Sequence, residues 1–351
     1  CIVVLAWAAR DAARAQVRSD LLVSDRQSMA PAVRALFWAC FALVAVRLAG
    51  LALEVLWRPL LPWDAWAHWA TKARVWYEYG YIAPFVAPAE WFKAGDAMRF
   101  VDMNSRYPGT GPLLQVWTNL WLGRWDESLM SAPWIAAAVA FGCGFYAQLR
   151  RAGAQPAVAM LFTYLVMSIP FFNIHVAIAG VVDLFVAIAY GMAAMSLWHW
   201  TRARQLPDLV LAFVMAAVCA AVKVEGSLWA LTLLPGLLVA INRRVGLWLL
   251  ALLATAALLY LALGPKEVTL FGYALRTRFT NVSLPLLQHM FVMDNWHLLW
   301  YGAVIVLTLR ARRLFAPEFA PMTVTIVVAL AFVVVVFFFS SAAGGVDDET
   351  L

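Results

Sequence analysis

Long apolar runs separated by short polar breaks dominate the chain from residue 35 onwards. A helix that crosses a bilayer needs about 20 mainly apolar residues, so such runs predict spanning helices. Two neighbouring runs are shorter, and the stretch Lys223-Val224-Glu225-Gly226 between them indicates two helices joined by a tight external turn. The pattern predicts an all-α, polytopic membrane helix bundle with about nine or more spans. The predicted spans are 35–56, 130–149, 157–173, 176–199, 208–222, 226–242, 245–264, 294–309 and 321–340.

The polar segments between the predicted spans differ in their charge. Arginines cluster in the segments that share one side of the membrane if every predicted span crosses it. Cytoplasmic loops carry an excess of basic residues, so this side is predicted to be cytoplasmic. The long segments 57–129 and 265–293 then lie outside, and a catalytic site is expected to face the periplasm or the outside. The clusters are Arg10 to Arg34, Arg150-Arg151, Arg202 with Arg204, Arg243-Arg244, and Arg310 with Arg312 and Arg313.

The composition supports a membrane protein. Of the 351 residues, 64% are hydrophobic and 13% are charged. Soluble domains carry about 25% charged residues, so a soluble enzyme, a nucleic-acid-binding domain and a disordered protein are excluded. The four cysteines, Cys1, Cys40, Cys143 and Cys219, lack the spacing of a zinc site or a disulfide framework. Because the chain begins without Met on part of an apolar segment, we expect 1–351 to be a single transmembrane domain that lacks one or both ends.

The first external loop, 57–129, is predicted to begin with an amphipathic interfacial helix from Pro62 to Tyr79. Asp64, His68 and Lys72 follow a spacing of i, i+4, i+8 and therefore share one helix face. A solvated polar face and a chemically active face are both open interpretations. Tryptophan favours the membrane interface, where its ring and its N–H are both satisfied. The loop contains Trp57, Trp63, Trp66, Trp69, Trp76, Trp91, Trp117, Trp121 and Trp125.

The second half of this loop combines charged residues with another apolar stretch. Asp102, Arg106 and Tyr107 precede the stretch from Pro112 to Leu122, which is too short to span and predicts a second interfacial helix. The planar guanidinium of Arg106 suits phosphate oxygens, although it could also pair with neighbouring acids. Further acidic candidates, Asp126 and Glu127, lead into the span at 130.

Ionisable residues also fall at or within predicted spans. Asp183 is predicted to lie two turns inside the outer half of its span, with His175 at the mouth of the helix, and Lys223 and Glu225 mark an outer helix junction. An ionisable group at membrane depth costs at least about 2.5 kcal/mol, which makes it a functional-site hypothesis. A structural pair between Lys223 and Asp183 is the alternative.

The second external loop, 265–293, interleaves basic and aromatic residues. Arg276 and Arg278 are its basic candidates, beside Phe271, Tyr273 and Phe279. Such a pattern at an interface suits contact with a lipid head group or a pyrophosphate, and a plain solvated loop is an equal alternative.

Four short motifs stand out in the outer segments: Trp63-Asp64-Ala65-Trp66 with Trp69 and Lys72-Ala73, Arg106-Tyr107-Pro108, Gly123-Arg124-Trp125-Asp126-Glu127, and Lys223-Val224-Glu225-Gly226. Together they resemble bacterial integral-membrane glycosyltransferases of the C superfamily. The resemblance covers roughly residues 35–310, and its most specific feature is an acidic residue just after the first large span. Many members carry paired acids there, whereas this chain has a single Asp64 between tryptophans, and Val224 stands where a polar residue is expected.

The resemblance implies a multi-pass enzyme of the bacterial inner membrane. It would transfer a sugar, with inversion, from a polyprenyl-phosphate donor to a glycan, lipid or protein acceptor. Asp64 would act as general base, and Asp126 or Asp183 would orient the acceptor or hold a divalent cation such as Mg²⁺ or Mn²⁺. Substrate-binding candidates are His68, Lys72, Asp102, Arg106, Tyr107, Glu127, His175, Lys223, Glu225, Arg276 and Arg278.

Two other functions remain open at this point. A ligase or polymerase of surface polysaccharide would depend on Arg276, Arg278 and His289 more than on Asp64. A polytopic transporter or lipid flippase is expected to show internal repeats, and the sequence shows none.

Overall fold

A computed structural model describes residues 30–93, 99–263, 267–270, 273–276 and 279–339. The described residues are mainly helical, with two short two-stranded sheets. The helices of the N-terminal half are α1 (Pro31–Trp57), α2 (Thr71–Tyr79), α3 (Pro88–Trp91), α4 (Thr110–Leu122), α5 (Ala132–Arg151), α6 (Pro156–Met167) and α7 (Pro170–Ala177). Those of the C-terminal half are α8 (Asp183–Ala203), α9 (Leu206–Val222), α10 (Val224–Leu231), α11 (Leu234–Ile241), α12 (Arg243–Leu263), α13 (Ser283–Leu287), α14 (Leu299–Leu314) and α15 (Ala320–Phe339).

The strands are short and lie in the two predicted external loops. Strands β1 (Phe85–Val86) and β2 (Phe100–Val101) pair in parallel within the first loop. Strands β3 (Glu267–Leu270) and β4 (Tyr273–Arg276) form an antiparallel hairpin in the second, with Glu267 opposite Arg276.

Within the described residues, six helical segments are long and apolar enough to cross a membrane. The pair α6 and α7 adds a seventh if the two helices, bent by 62° at their junction, form one broken span. The prediction of a mainly helical membrane protein is confirmed at this level. The count of nine spans stays a prediction, because α9 has 17 residues and α14 has 16. The six segments are Pro31–Trp57, Leu129–Arg151, Asp183–Ala203, Val224–Ile241, Arg243–Tyr260 and Ala320–Phe339.

The predicted span 157–173 is broken, for a local chemical reason. Helix α6 ends at Met167, and Pro170, which lacks an N–H group, begins α7. The side-chain amide of Asn173 donates to the carbonyls of Met167 and Ile169, at 3.1 and 2.7 Å, and so supplies these carbonyls with hydrogen-bond donors at the break. Arg47 of α1 donates to Asn173 Oδ1 at 3.1 Å and to the Ser168 carbonyl at 3.2 Å.

The next predicted span, 176–199, begins later than its hydropathy indicates. Helix α7 ends at Ala177, and α8 begins only at Asp183. Between them Gly180 has a φ of +99°, a left-handed conformation that interrupts helix formation. Asp183 is therefore the first residue of its helix, and the predicted position two turns inside a span is wrong.

Polar contacts identify two opposite ends of the helix assembly. At one end, Arg151 pairs with Asp208 at 2.6 Å, and Arg243 donates to the Phe315 carbonyl at 3.1 Å. At the other end, the start of α8 meets the junction of α9 and α10, and the first loop lies against this junction. Arg151 and Arg243 thus lie at the end opposite Lys223 and Asp183, as the alternating pattern of spans predicts.

Candidate functional site

Asp102 is the centre of a buried polar network in the first loop. Its Oδ1 accepts a hydrogen bond from His68 Nδ1 at 2.6 Å, and its Oδ2 pairs with Lys72 Nζ at 2.6 Å. The backbone N–H of Asn104 donates to Oδ1 at 2.9 Å, and the Asn104 carbonyl accepts from Lys72 Nζ at 3.0 Å. The Asn104 amide nitrogen lies 3.0 Å from His68 Nε2. An amide donor at Nε2 leaves the imidazole proton on Nδ1, where it points to Asp102.

This network determines the charge of Asp102. Burial alone raises the pKa of Asp102, because a buried carboxylate loses its hydration. Hydrogen bonds from Lys72, from the Asn104 N–H and from His68 outweigh burial and hold the pKa of Asp102 below its ordinary value. The carboxylate is therefore ionised, and it compensates the Lys72 ammonium, whose residue is 2% exposed.

A second network joins the first loop to the helix junctions. Lys223 Nζ contacts both carboxylate oxygens of Asp183, at 2.8 and 3.0 Å. Lys223 adopts an extended backbone between α9 and α10, which places its side chain at the tip of the turn. The Tyr107 hydroxyl donates to Glu225 Oε1 at 2.9 Å, in the first turn of α10. The structural pair between Lys223 and Asp183, one of the two interpretations of the sequence, is thus present.

Tyr107 connects the two networks. Its ring stacks on Trp69 with ring centroids 5.1 Å apart and an interplanar angle of 3°. Trp69 follows His68 in the chain, and Lys223 Nζ lies 5.9 Å from the centre of the Tyr107 ring. Tyr107 thus contacts both the segment that carries His68 and Trp69 and the turn between α9 and α10.

A cavity of about 380 Å³ opens within the first loop, between α2, the segment around Phe85 and the start of α4. Its wall combines aromatic rings with a few polar groups, and the two networks meet it through Lys72 and Tyr107. A mixed apolar and polar lining of this size is typical of a small-molecule site. The residues that line it include Lys72, Trp76, Phe85, Ser105, Tyr107 and Gly109.

The local sequence explains why His68 and Lys72 meet Asp102. The predicted helix from Pro62 to Tyr79 begins as a π-helical turn, Ala65–Ala70, and continues as α2. Residues four apart lie above one another on a helical face, and this spacing brings both side chains to the same carboxylate. The face is buried rather than solvated, because the segment 99–107 covers it.

Asp64 and Arg106 lie at the surface. Asp64 precedes the π-helical turn, and its side chain is exposed, so it does not join His68 and Lys72. No ion pair or hydrogen bond of the Asp64 carboxylate occurs within the described part of the chain. Arg106 is exposed between Ser105 and Tyr107, both of which line the cavity.

Asp126 has a structural position. Its Oδ1 accepts from the backbone N–H groups of Leu129 and Ser128, at 2.9 and 3.2 Å, and caps the 3₁₀ turn Leu129–Ser131 that leads into α5. The Leu129 hydrogen bond lowers the pKa of Asp126 most, burial opposes it, and the Ser128 bond and Arg124 add to the lowering. Asp126 therefore lies apart from both networks.

Glu127 and His175 are not among the residues that line the cavity. Glu127 is exposed beside Asp126, and His175 Nδ1 lies 2.8 Å from the Phe171 carbonyl within α7. Arg276 ends strand β4, and Arg278 lies outside the described residues. Where the structure describes the chain, no three His, Cys, Asp or Glu side chains group as metal ligands. The hypothesis of a divalent cation at Asp126 or Asp183 gains no support from these residues.

Sequence reasoning missed three residues that matter for the site. Asn104 completes the network around Asp102, Ser105 lines the cavity, and Gly109 approaches Trp76 closely. Asn104 and Ser105 stand between Asp102 and Arg106, so the polar run itself was the available signal. The close approach of Gly109 has no signature in a single sequence.

Comparisons with protein-family models, with curated proteins and with solved structures found no match to this chain.

Proposed function

We propose that the chain is a membrane glycosyltransferase that moves a sugar from a polyprenyl-phosphate donor to an acceptor hydroxyl or amine. One observation carries the proposal. An aromatic and polar cavity in the first loop is lined by Lys72, which pairs with Asp102, and by Tyr107, which contacts Lys223 and Glu225 at the end of α9 and the start of α10. Such a position suits a substrate whose lipid tail stays in the membrane while its phosphate and sugar reach the interface. The positive-inside rule assigns the arginine-rich end to the cytoplasm, which supports our proposal that the cavity faces the periplasm or the outside of a bacterial inner membrane.

The proposed reaction is a single inverting displacement. The acceptor oxygen or nitrogen attacks the anomeric carbon, the bond from that carbon to the phosphate oxygen breaks, and the lipid phosphate leaves with the electron pair. Asp64 takes the acceptor proton, since its exposed carboxylate has no partner among the described residues. A general base of this kind contributes about 10²–10⁴-fold to the rate.

Cations stabilise the phosphate as it leaves. Arg106 is exposed between two residues of the cavity wall, where its guanidinium can hold phosphate oxygens at the mouth. Lys223 is nearby through its contact with the Tyr107 ring, although Asp183 compensates its charge. Holding donor and acceptor in one cleft adds the advantage of proximity.

Replacement of Asp64 by Asn tests the proposal. The chain, purified and reconstituted in liposomes, is incubated with radiolabelled polyprenyl-phosphate sugars and an extract of envelope acceptors, and transfer is measured. Wild type is expected to transfer a sugar, and Asp64→Asn to lose about a hundredfold or more of the rate, because the amide keeps the shape but accepts no proton.

Asp294→Asn is the matched control, because the same substitution falls on a side chain that is 82% exposed in another loop. Equal transfer by Asp64→Asn and wild type would remove Asp64 from the mechanism. Absence of transfer by wild type from a broad donor panel would overturn the enzyme proposal itself.

The broken span favours one second candidate, a transporter or lipid flippase. Discontinuous helices commonly form the substrate sites of transporters, and α6 and α7 are bent by 62° at their junction. Here, however, Asn173 and Arg47 satisfy the polar groups of the break. Movement of the labelled lipid across the liposome membrane without sugar transfer would favour this candidate.

A further inference from the structure

We propose that the cavity between Lys72 and Tyr107 binds one neutral monosaccharide ring, which on the proposed function is the sugar being transferred. The role of this sugar as the transferred group rests on the proposed function, whereas its binding to the cavity does not. Three properties of the cavity support it: its volume, its rigid aromatic wall and the charge balance of its polar groups.

The volume fits one ring. At about 380 Å³ the cavity stands at the small end of the range of roughly 300–1,000 Å³ that small-molecule sites occupy. Gly109 forms part of the wall and lies so close to Trp76 that an added Cβ atom would be 2.8 Å from the tip of the ring. An oligosaccharide would therefore have to leave most of its rings outside.

The aromatic wall is held rigid by contacts outside the cavity. Trp76 Nε1 donates to the Ala83 carbonyl at 2.9 Å, and its ring packs on Phe85 at 6.5 Å between centroids. Tyr107 is fixed by its stacking on Trp69 and by Glu225. Rigid aromatic surfaces suit the C–H faces of a sugar ring, because apolar area is buried without loss of side-chain freedom.

The polar groups suit hydroxyls. An ammonium group has three N–H donors, and the Lys72 ammonium contacts Asp102 and the Asn104 carbonyl. These contacts account for two of the three donors, and the Ser105 hydroxyl adds a group to the cavity wall that can donate or accept. The lining thus combines the hydrogen-bonding groups of Lys72 and Ser105 with aromatic rings, a combination that suits a neutral sugar ring.

The charge balance disfavours an acidic sugar. Lys72 is the one charged side chain in the described lining of the cavity, and Asp102 already neutralises it at 2.6 Å. A uronate carboxylate would have to share this ammonium with Asp102, and two carboxylates at one cation repel each other. Inside the cavity we therefore expect a neutral ring to bind in preference to an anionic one.

Saturation-transfer difference NMR on the purified chain in detergent micelles tests the inference without any transfer reaction. The probes are the methyl glycosides of glucose, galactose and mannose, each paired with the matching uronate. We expect at least one neutral glycoside to bind, and its uronate to bind at least about tenfold more weakly, because of the like charge at Asp102.

Two glycine variants locate the binding. Gly109→Ala inserts a Cβ atom against Trp76 and is expected to weaken the neutral glycoside about tenfold or more, because the ring must move into the cavity. Gly302→Ala is the matched control, since it meets no atom within 4 Å. Circular dichroism and size-exclusion profiles equal to wild type show that Gly109→Ala still folds. If that variant does not fold, a measurement on wild type replaces it: the glycoside should protect tryptophan fluorescence from quenching by acrylamide.

Equal or tighter binding of the uronate overturns the inference, as does absence of any glycoside binding or unchanged binding by folded Gly109→Ala. The proposed function can fail while this inference holds. Neutral glycosides would then bind with the expected pattern, but reconstituted wild type would transfer no sugar.

Discussion

At the scale of single residues, the pairing of Lys72 with Asp102 is the feature on which the site depends. A lysine that is 2% exposed loses nearly all of its hydration and keeps its charge only beside a compensating anion. Asp102, itself 3% exposed, supplies that anion, and His68 and Asn104 satisfy its remaining capacity. Removal of one partner from such a pair costs about 3–5 kcal/mol, because an isolated charge stays buried.

The depressed pKa of Asp102 predicts a loss of stability in acid. A folded-state pKa below the unfolded value means that the unfolded chain binds protons more readily. The stabilisation is complete above the ordinary aspartate pKa of about 3.9 and is lost as the pH falls through the lower folded-state value. We expect the midpoint of thermal unfolding in detergent to fall as the pH is lowered from about 6 towards about 3.

The Asp102→Asn variant distinguishes the contribution of this carboxylate to the pH dependence of stability from that of all other carboxylates. At neutral pH it should unfold at a lower temperature than wild type, and its midpoint should vary less with pH. Asp294→Asn, on an exposed side chain, should follow the wild-type curve. If Asp102→Asn keeps the same unfolding midpoint and the same pH dependence as wild type, another group compensates the charge of Lys72.

Part of the residue-scale arrangement follows from sequence spacing. His68 and Lys72 stand four residues apart, so a helix brings both to one face, and this much was predicted. Asp64 extends the same spacing but lies outside the network, because the π-helical turn begins after it. The partner of the pair, Asp102, comes from a segment that is remote in sequence, and no local pattern indicates such a contact.

At the scale of elements, the turn between α9 and α10 positions Lys223. The two helices pack so closely that a Cβ atom at Gly226 would lie 1.9 Å from the Cys219 carbonyl oxygen. That neighbour is backbone and cannot rotate away. Glycine at this position therefore allows the tight turn that the sequence predicted, and it holds Lys223 beside Asp183.

Gly226→Ala is expected to lower the free energy of unfolding by about 1–3 kcal/mol, the usual cost of overpacking, because the helices must separate. Thermal or denaturant unfolding in detergent measures the change. Gly191→Ala, in the middle of α8 with no atom within 4 Å, is the matched control and should be neutral or stabilising by up to about 1 kcal/mol. Equal effects of the two variants would contradict the close approach of the helices.

At the scale of the whole molecule, the separation of the arginine clusters from the cavity gives a testable orientation. Contacts such as Arg151 with Asp208 and Lys223 with Asp183 belong to opposite ends of the helices. Basic residues remain in the cytoplasm during insertion, so the cavity end should face outwards. The same orientation is required by a lipid-linked donor used outside the cell membrane.

Cysteine labelling tests this orientation. Single cysteines are introduced at Glu90, in the first loop, and at Arg313, in the last arginine cluster, after the native cysteines are replaced by serine. We expect a membrane-impermeant maleimide to label Glu90→Cys on intact spheroplasts, and Arg313→Cys only after permeabilisation. The reverse pattern would place the cavity in the cytoplasm and exclude the proposed donor.

The sequence by itself determined the class of the protein and its main divisions. Apolar runs of about 20 residues have few alternatives to spanning helices, so the mainly helical membrane structure and the segments near 35–56, 130–149 and 321–340 followed from local pattern. The predicted bounds differ from the structure where a single residue interrupts an apolar run, as Pro170 does at the bend between α6 and α7 and Gly180 does before α8.

Only the tertiary structure decided which charged residues meet. Asp102 with Lys72, Tyr107 with Glu225 and the cavity between them join segments that are 30 to 118 residues apart. Pairings of this kind depend on how helices and loops pack in three dimensions, and hydropathy and spacing report only on neighbours within a few turns. The same limit explains why Asp64 and Asp126, equally acidic in the sequence, occupy an exposed position and a helix cap.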